Sequence, residues 1–126
     1  MFKEIRTSDA PQAVGPYSQA VLNDNMLFLS GQIPIDPASG KLVDGGIEAQ
    51  AAQVLRNLEA LLKAAGMSFS NVIRSEVFMK DLNDFAAMNK LYAEKFSQEI
   101  KPVRQTIQVA KLPMDALIEI SCIAIR

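Results

Sequence analysis

Residues 47–66 read IEAQAAQVLRNLEALLKAAG, and this stretch decides the class of fold. Ile47, Ala51, Val54, Leu55, Leu58, Leu61, Leu62 and Ala65 recur at helical spacing and make one apolar stripe. Gly66 stands where a C-terminal cap belongs, because glycine takes the left-handed conformation without steric penalty. The spacing predicts a helix over 47–65. A helix with a single apolar stripe must bury it against another layer, so the rest of the chain has to supply one.

Working outward, Val72–Met79 is rich in β-branched and aromatic residues and reads as a strand. Asp81 offers an N-cap for a second helix, with Leu82, Phe85, Met88, Tyr92 and Phe96 on one side. That helix ends before Pro102. Arg104–Val109 is a strand with Ile107 and Val109 on one face and Arg104, Thr106 and Gln108 on the other. Leu117–Ile125 is the last strand. Ile118, Ile120, Cys122 and Ala124 share one of its faces, while Glu119, Ser121, Ile123 and Ile125 share the other. On the N-terminal side, Tyr17–Leu22 and Met26–Gln32 read as a hairpin around the turn Asn23-Asp24-Asn25. Pro34, Pro37, Gly40, Gly45 and Gly46 mark a loop before the first helix. Two helices and about five strands give an α+β layer with the helices on one face of the sheet. The other face carries Ile123 and Ile125 and needs a partner, which points to an oligomer. No repeat, low-complexity tract or linker interrupts residues 1–126, which read as a single domain.

Composition narrows the function. The chain is 49% hydrophobic and 21% charged, ordinary globular proportions. Its formal net charge is -1, with 13 basic and 14 acidic residues and no run of like charge, so nothing draws it to nucleic acid or anionic lipid. There is no histidine, which excludes Ser-His-Asp triads and His-ligated metals. The one cysteine, Cys122, can form neither an internal disulfide nor a zinc site alone, and suits a reducing cytoplasm. No stretch approaches the roughly 20 apolar residues that span a bilayer. Chemistry must therefore come from Arg, Lys, Glu, Asp, Ser, Thr, Tyr, backbone amides or water.

Three places carry such groups. Arg104 follows Pro102 and opens a strand, and its planar guanidinium matches a carboxylate in two parallel hydrogen bonds. The alternative is a solvated or structurally paired arginine. Glu119 lies within the apolar Leu117-Ile118-Glu119-Ile120, where a carboxylate can orient or deprotonate water. It can equally be the polar position of an alternating strand, or the ion-pair partner of Arg104. Gly15-Pro16-Tyr17-Ser18-Gln19-Ala20 presents Tyr17 at a bend, for stacking on a flat ligand or as a core ring. Gly31, in Ser30-Gly31-Gln32, would let a ligand approach the backbone, or mark a bulge. Cys122 reads as a small buried hydrophobe, and Asn89 on its spacing alone as a solvated helix residue.

Together these segments resemble one family. The run Gly15–Ala20, then Ser30-Gly31-Gln32-Ile33-Pro34 with Asp36-Pro37 and Gly40, is similar to its N-terminal motifs. Asn57-Leu58 through Ala65-Gly66, Val77-Phe78, Lys80–Phe85, Met88-Asn89 and Tyr92 are similar to its middle. Pro102-Val103-Arg104, Val109–Pro113 and Ile118-Glu119-Ile120 resemble its C-terminal signature. The match runs in order from about Ala10 to the end, and the family is RidA, also called YjgF. The resemblance implies a chorismate-mutase-like mixed sheet with two helices on one face. It also implies a homotrimer with three clefts, each lined by two chains.

In that family's terms Arg104 clamps the substrate carboxylate and Glu119 holds the attacking water. Tyr17 packs on the substrate from the neighbouring subunit, and Ser30, Gly31 and Asn89 shape the pocket. The implied substrates are 2-iminobutanoate and 2-iminopropanoate, with their enamine tautomers, hydrolysed to 2-oxo acids and ammonia without metal or cofactor. One departure stands out: the family often has Ser-Cys where this chain has Gln105-Thr106. Thr106 keeps a backbone amide and a hydroxyl for the substrate but no thiol. The competing expectations are a non-catalytic metabolite-sensing or partner-binding trimer, whose pocket holds small 2-oxo acids without turnover, and an RNA-directed ribonuclease or translation-inhibitor activity. The absence of histidine and of a basic stripe argues against the latter.

Overall fold

A computed structural model describes all of residues 1–126. In chain order it contains β1 (Phe2–Ile5), β2 (Ala20–Asn23), β3 (Met26–Gln32), β4 (Ile35–Asp36), β5 (Lys41–Leu42) and α1 (Gly46–Ala64). These are followed by β6 (Val72–Met79), α2 (Phe85–Lys95), β7 (Val103–Gln108) and β8 (Ile118–Ile125). Six strands form one mixed sheet in the order β1-β2-β3-β8-β6-β7, and β4 pairs with β5 in a separate small ribbon. All pairings in the large sheet are antiparallel except β6 with β7, which α2 joins as a crossover.

The α1 stripe does what its spacing predicts. Ala51, Val54, Leu55, Leu58, Leu61 and Leu62 are all buried, and Gly66 ends the helix at φ 73°. Beneath them lie Leu27 and Leu29 of β3, Val77 and Met79 of β6, and Ile118, Ile120, Cys122 and Ala124 of β8. Truncating one fully buried leucine of this layer, such as Leu58 to alanine, costs about 2–5 kcal/mol. The fold class is as expected: α+β, two helices on one face of a mixed sheet.

The edges differ from expectation. The strand expected over Tyr17–Leu22 begins only at Ala20. Residues before it are diverted by the Gln19 side chain, whose amide bonds Thr7, Ala10 and Pro11 and so holds loop backbone in place of a strand neighbour. β1, which has no apolar alternation, pairs along β2 as a sixth strand. The loop after Gln32 contains the β4–β5 ribbon. Asp81 caps a 3-10 turn over Leu82–Asp84, and α2 starts one turn later than expected. Leu82 is consequently exposed, while Met88, Tyr92 and Phe96 of the predicted stripe are buried.

The face of the sheet away from the helices is open. Phe28, Ile73, Ile107 and Ile125 are exposed there, and Phe28 stands opposite Ile123 in the β3–β8 register. No helix of the structure is long and apolar enough to cross a membrane.

Candidate active site

The register decides where each candidate residue points. In the parallel β6–β7 pair, Ser75, Val77 and Met79 stand beside Arg104, Thr106 and Gln108. Ser75, Val77 and Met79 are buried under the helices, so Arg104 also points to the helix side. In the antiparallel β6–β8 pair, Glu119 stands beside Phe78 on the other side. Arg104 and Glu119 therefore occupy opposite faces of one sheet. Within one chain they make no ion pair and line no common cleft, contrary to the pairing left open by the sequence.

On the helix side, α2 presents Phe85, Asn89 and Tyr92 at i, i+4 and i+7, one face of the helix. Arg104 Nη1 donates to Asn89 Oδ1 at 2.6 Å. Its guanidinium carbon lies 4.8 Å from the Tyr92 ring centre and 5.4 Å from that of Phe85, within cation–π range. The Tyr92 hydroxyl is fixed in turn by Ser75 Oγ at 2.6 Å, and its ring stacks on Phe96 at 4.1 Å. Arg104 has no carboxylate partner. It lines a cleft of about 590 Å³ with Asn89, Tyr92, Phe96, Ser97 and Lys101, and none of the lining residues is acidic. Thr106 shares the Arg104 face two residues on, and its Oγ1 is buried without a hydrogen-bond partner.

On the open face, β3 carries a bulge. Ser30 and Gly31 fall between the pairs Leu29–Cys122 and Gln32–Ile120, where β8 supplies only Ser121. The bulge brings Gly31 against Glu119: a Cβ added at Gly31 would lie 2.3 Å from Glu119 Oε2. Glycine is required here by close approach, not by its backbone angle. Burial between Gly31 and Phe78 pushes the Glu119 carboxyl above the usual carboxylate range. Ser30 Oγ donates to the Ser18 carbonyl at 2.6 Å and ties the bulge to the Gly15–Gln19 bend. Tyr17 is half exposed, and its hydroxyl accepts from the Val14 amide at 3.4 Å. With Gly31, Gln32, Ile33, Pro113 and Met114 it lines a second cleft, of about 330 Å³.

Each predicted residue thus falls into one of two groups, Arg104, Asn89 and Thr106 in one and Glu119, Gly31, Ser30 and Tyr17 in the other. Sequence reasoning missed Phe85 and Tyr92 as supports for Arg104, placing both in the core stripe. Their signal was the polar Asn89 set between them at helical spacing. Cys122 is buried, its thiol pushed up to about 12, and is no nucleophile. No three His, Cys, Asp or Glu side chains come together as a metal site would need.

A family model described as "Endoribonuclease L-PSP" matches residues 7–126. The RutC family protein PH0854 of Pyrococcus horikoshii is 52% identical over 126 residues, covering 100% of this chain and 99% of its own length. Human 2-iminobutanoate/2-iminopropanoate deaminase is 48% identical over 122 residues, 97% of this chain and 88% of its own. The crystal structure of E. coli TdcF with bound serine superposes with a TM-score of 0.93 at 44% identity, covering 98% of each chain. At this identity, over this share of its length and with this fold, the chain belongs to the RidA/YjgF family.

Proposed function

We propose that this chain hydrolyses 2-iminobutanoate, 2-iminopropanoate and their enamine tautomers to 2-oxo acids and ammonia, in sites completed between the subunits of a homotrimer. The observation that carries the reading is the Arg104 guanidinium. It is stacked on Tyr92 and Phe85 and held by Asn89, at the mouth of a cleft without acidic side chains, with no carboxylate of its own. Such a fork is preorganised for a ligand carboxylate. Serine, bound by the related TdcF, and the imino acids named for the human relative both carry a carboxylate beside a nitrogen-bearing carbon.

Because Arg104 and Glu119 lie on opposite faces, one chain cannot supply both to one substrate. Covering the open face with a neighbouring subunit gives Phe28, Ile73, Ile107 and Ile125 a partner. In the same step one subunit's Arg104 meets its neighbour's Glu119, Gly31 and Tyr17. Arg104 then fixes the carboxylate, with the backbone amide of Thr106 two residues further along the same strand. Glu119 takes a proton from a water whose oxygen attacks C2 of the protonated imine. Glu119 returns that proton to the amine nitrogen of the carbinolamine and takes up the hydroxyl proton as the C–N bond breaks, leaving ammonia and the 2-oxo acid. The substrate supplies the electrophile, so positioning and one proton relay suffice. In this reading the protein works in the cytoplasm, beside the dehydratases that release such imines.

The test couples threonine dehydratase to the protein with semicarbazide present as a trap. The wild type should outcompete the trap in forming 2-oxobutanoate, and Arg104→Ala should not. Failure of the wild type removes the deaminase reading and leaves a trimer that binds 2-oxo acids without turnover.

A further inference from the structure

α1 carries a second stripe beside its apolar one. Gln50, Gln53 and Asn57, at i, i+3 and i+7, are all buried, Asn57 completely. Buried amides are costly unless hydrogen-bonded, and a leucine or alanine would serve both the helix and the core. Two of these three reach out of the helix. Gln50 Oε1 accepts from the Leu117 amide at 2.8 Å. Asn57 Nδ2 donates to the Ile35 carbonyl at 2.9 Å and to that of Ile33 at 3.3 Å. Gln53 lies between them: its Nε2 donates to Asn57 Oδ1 at 2.9 Å, and its Oε1 accepts from Arg56 at 2.9 Å.

The two anchored segments are the flanks of one contact. Leu117 is two residues before Glu119, and Ile33 is two residues after Gly31. The Gly31–Glu119 contact is close, since a single added carbon would sit 2.3 Å from the carboxylate. We infer that Gln50 and Asn57 are positioning residues that hold the two sides of the Gly31–Glu119 contact to one rigid helix, and so fix where the carboxylate stands. The inference rests on the deaminase reading only for what Glu119 then does. The geometry of the tie is independent of it.

The experiment follows the Glu119 side-chain carboxyl by ¹³C NMR titration in the intact protein, with steady-state kinetics on the same variants. Gln50→Met removes the acceptor at nearly constant volume, and Asn57→Leu removes the tie to Ile33 and Ile35. Gln98→Met is the control, because Gln98 also ties backbone, at Phe69, but at the opposite end of β6. Loosening either tie should admit water and move the Glu119 midpoint down towards the ordinary carboxylate value. It should lower kcat about tenfold while KM changes less than about twofold. Gln50→Glu, which keeps an acceptor for the Leu117 amide, should recover kcat, and the control should move neither quantity. A Glu119 midpoint unchanged in folded Gln50→Met, or moved equally by the control, overturns the inference. If Asn57→Leu does not fold, Gln50→Met decides alone. If the wild type shows no deaminase activity, the functional reading fails, while the titration still decides the positioning role.

Discussion

Replacing Gly31 by alanine perturbs the proposed chemistry while sparing the fold. The backbone there is not in the left-handed region, so alanine adopts it without strain. The new Cβ would lie 2.3 Å from Glu119 Oε2, 2.9 Å from Cδ and 3.1 Å from Cγ. Ordinary contact begins at 3.4 Å, so the carboxylate oxygen must retreat by the difference, about 1.1 Å. It sits at the end of a side chain on the open face and can swing away. Removing a glycine from the unfolded chain offsets part of the disturbance, and net stability should change by no more than about 1 kcal/mol. Catalysis has no such latitude. A displacement of about 1 Å costs on the order of 100-fold in rate, equivalent to about 2.7 kcal/mol of transition-state stabilisation. Semicarbazide competition gives kcat/KM for 2-iminobutanoate, and calorimetry gives Tm on the same preparation. Wild-type kcat/KM in Gly31→Ala with unchanged Tm would refute the reasoning, because the Glu119 carboxylate would then not be needed where Gly31 lets it lie.

Other outcomes follow from the same geometry. Arg104→Lys keeps the charge but loses the fork, and should lower kcat/KM on the order of 100-fold while circular dichroism stays native. Glu119 has its folded carboxyl raised by burial above its ordinary value of 4.5, so kcat/KM should fall on acidification with a midpoint above that value. The same shift means the folded state holds more protons than the unfolded one within that window. The Glu119 contribution to stability is thus fully present below 4.5 and is lost as pH rises through the folded value; Glu119→Gln should flatten both profiles. Phe28→Asp places a charge opposite Ile123 on the open face and should give a monomer mass by light scattering, with turnover lost.

Most of the fold was legible where burial imposes a period. The α1 stripe, its Gly66 terminus and the alternation of Ile118, Ile120, Cys122 and Ala124 all appear as read. The edges were not, because β1 is held by pairing with β2 instead of by apolar alternation, and the loop from Thr7 to Pro11 is held by the side chain of Gln19. For the site, the residue types were readable and their sides were not. Alternation along β7 and β8 separates faces within each strand, but only the β6 register says that Arg104 and Glu119 point oppositely. The burial of Gln50 and Asn57 was not legible because a polar stripe on a helix reads as solvated until the loops packed over it are known.

The placement of β8 has a consequence for biosynthesis. It lies between β3 and β6, yet follows both in the chain. While a ribosome has released β3 and β6 but not β8, the sheet exists as two fragments with a gap at its centre. Each fragment then presents an unpaired edge, the feature by which nascent chains pair wrongly with one another. The central strand is thus the keystone added last. Chaperone capture of nascent chains should peak after α2 emerges and decline once Ile118–Ile125 clears the exit tunnel.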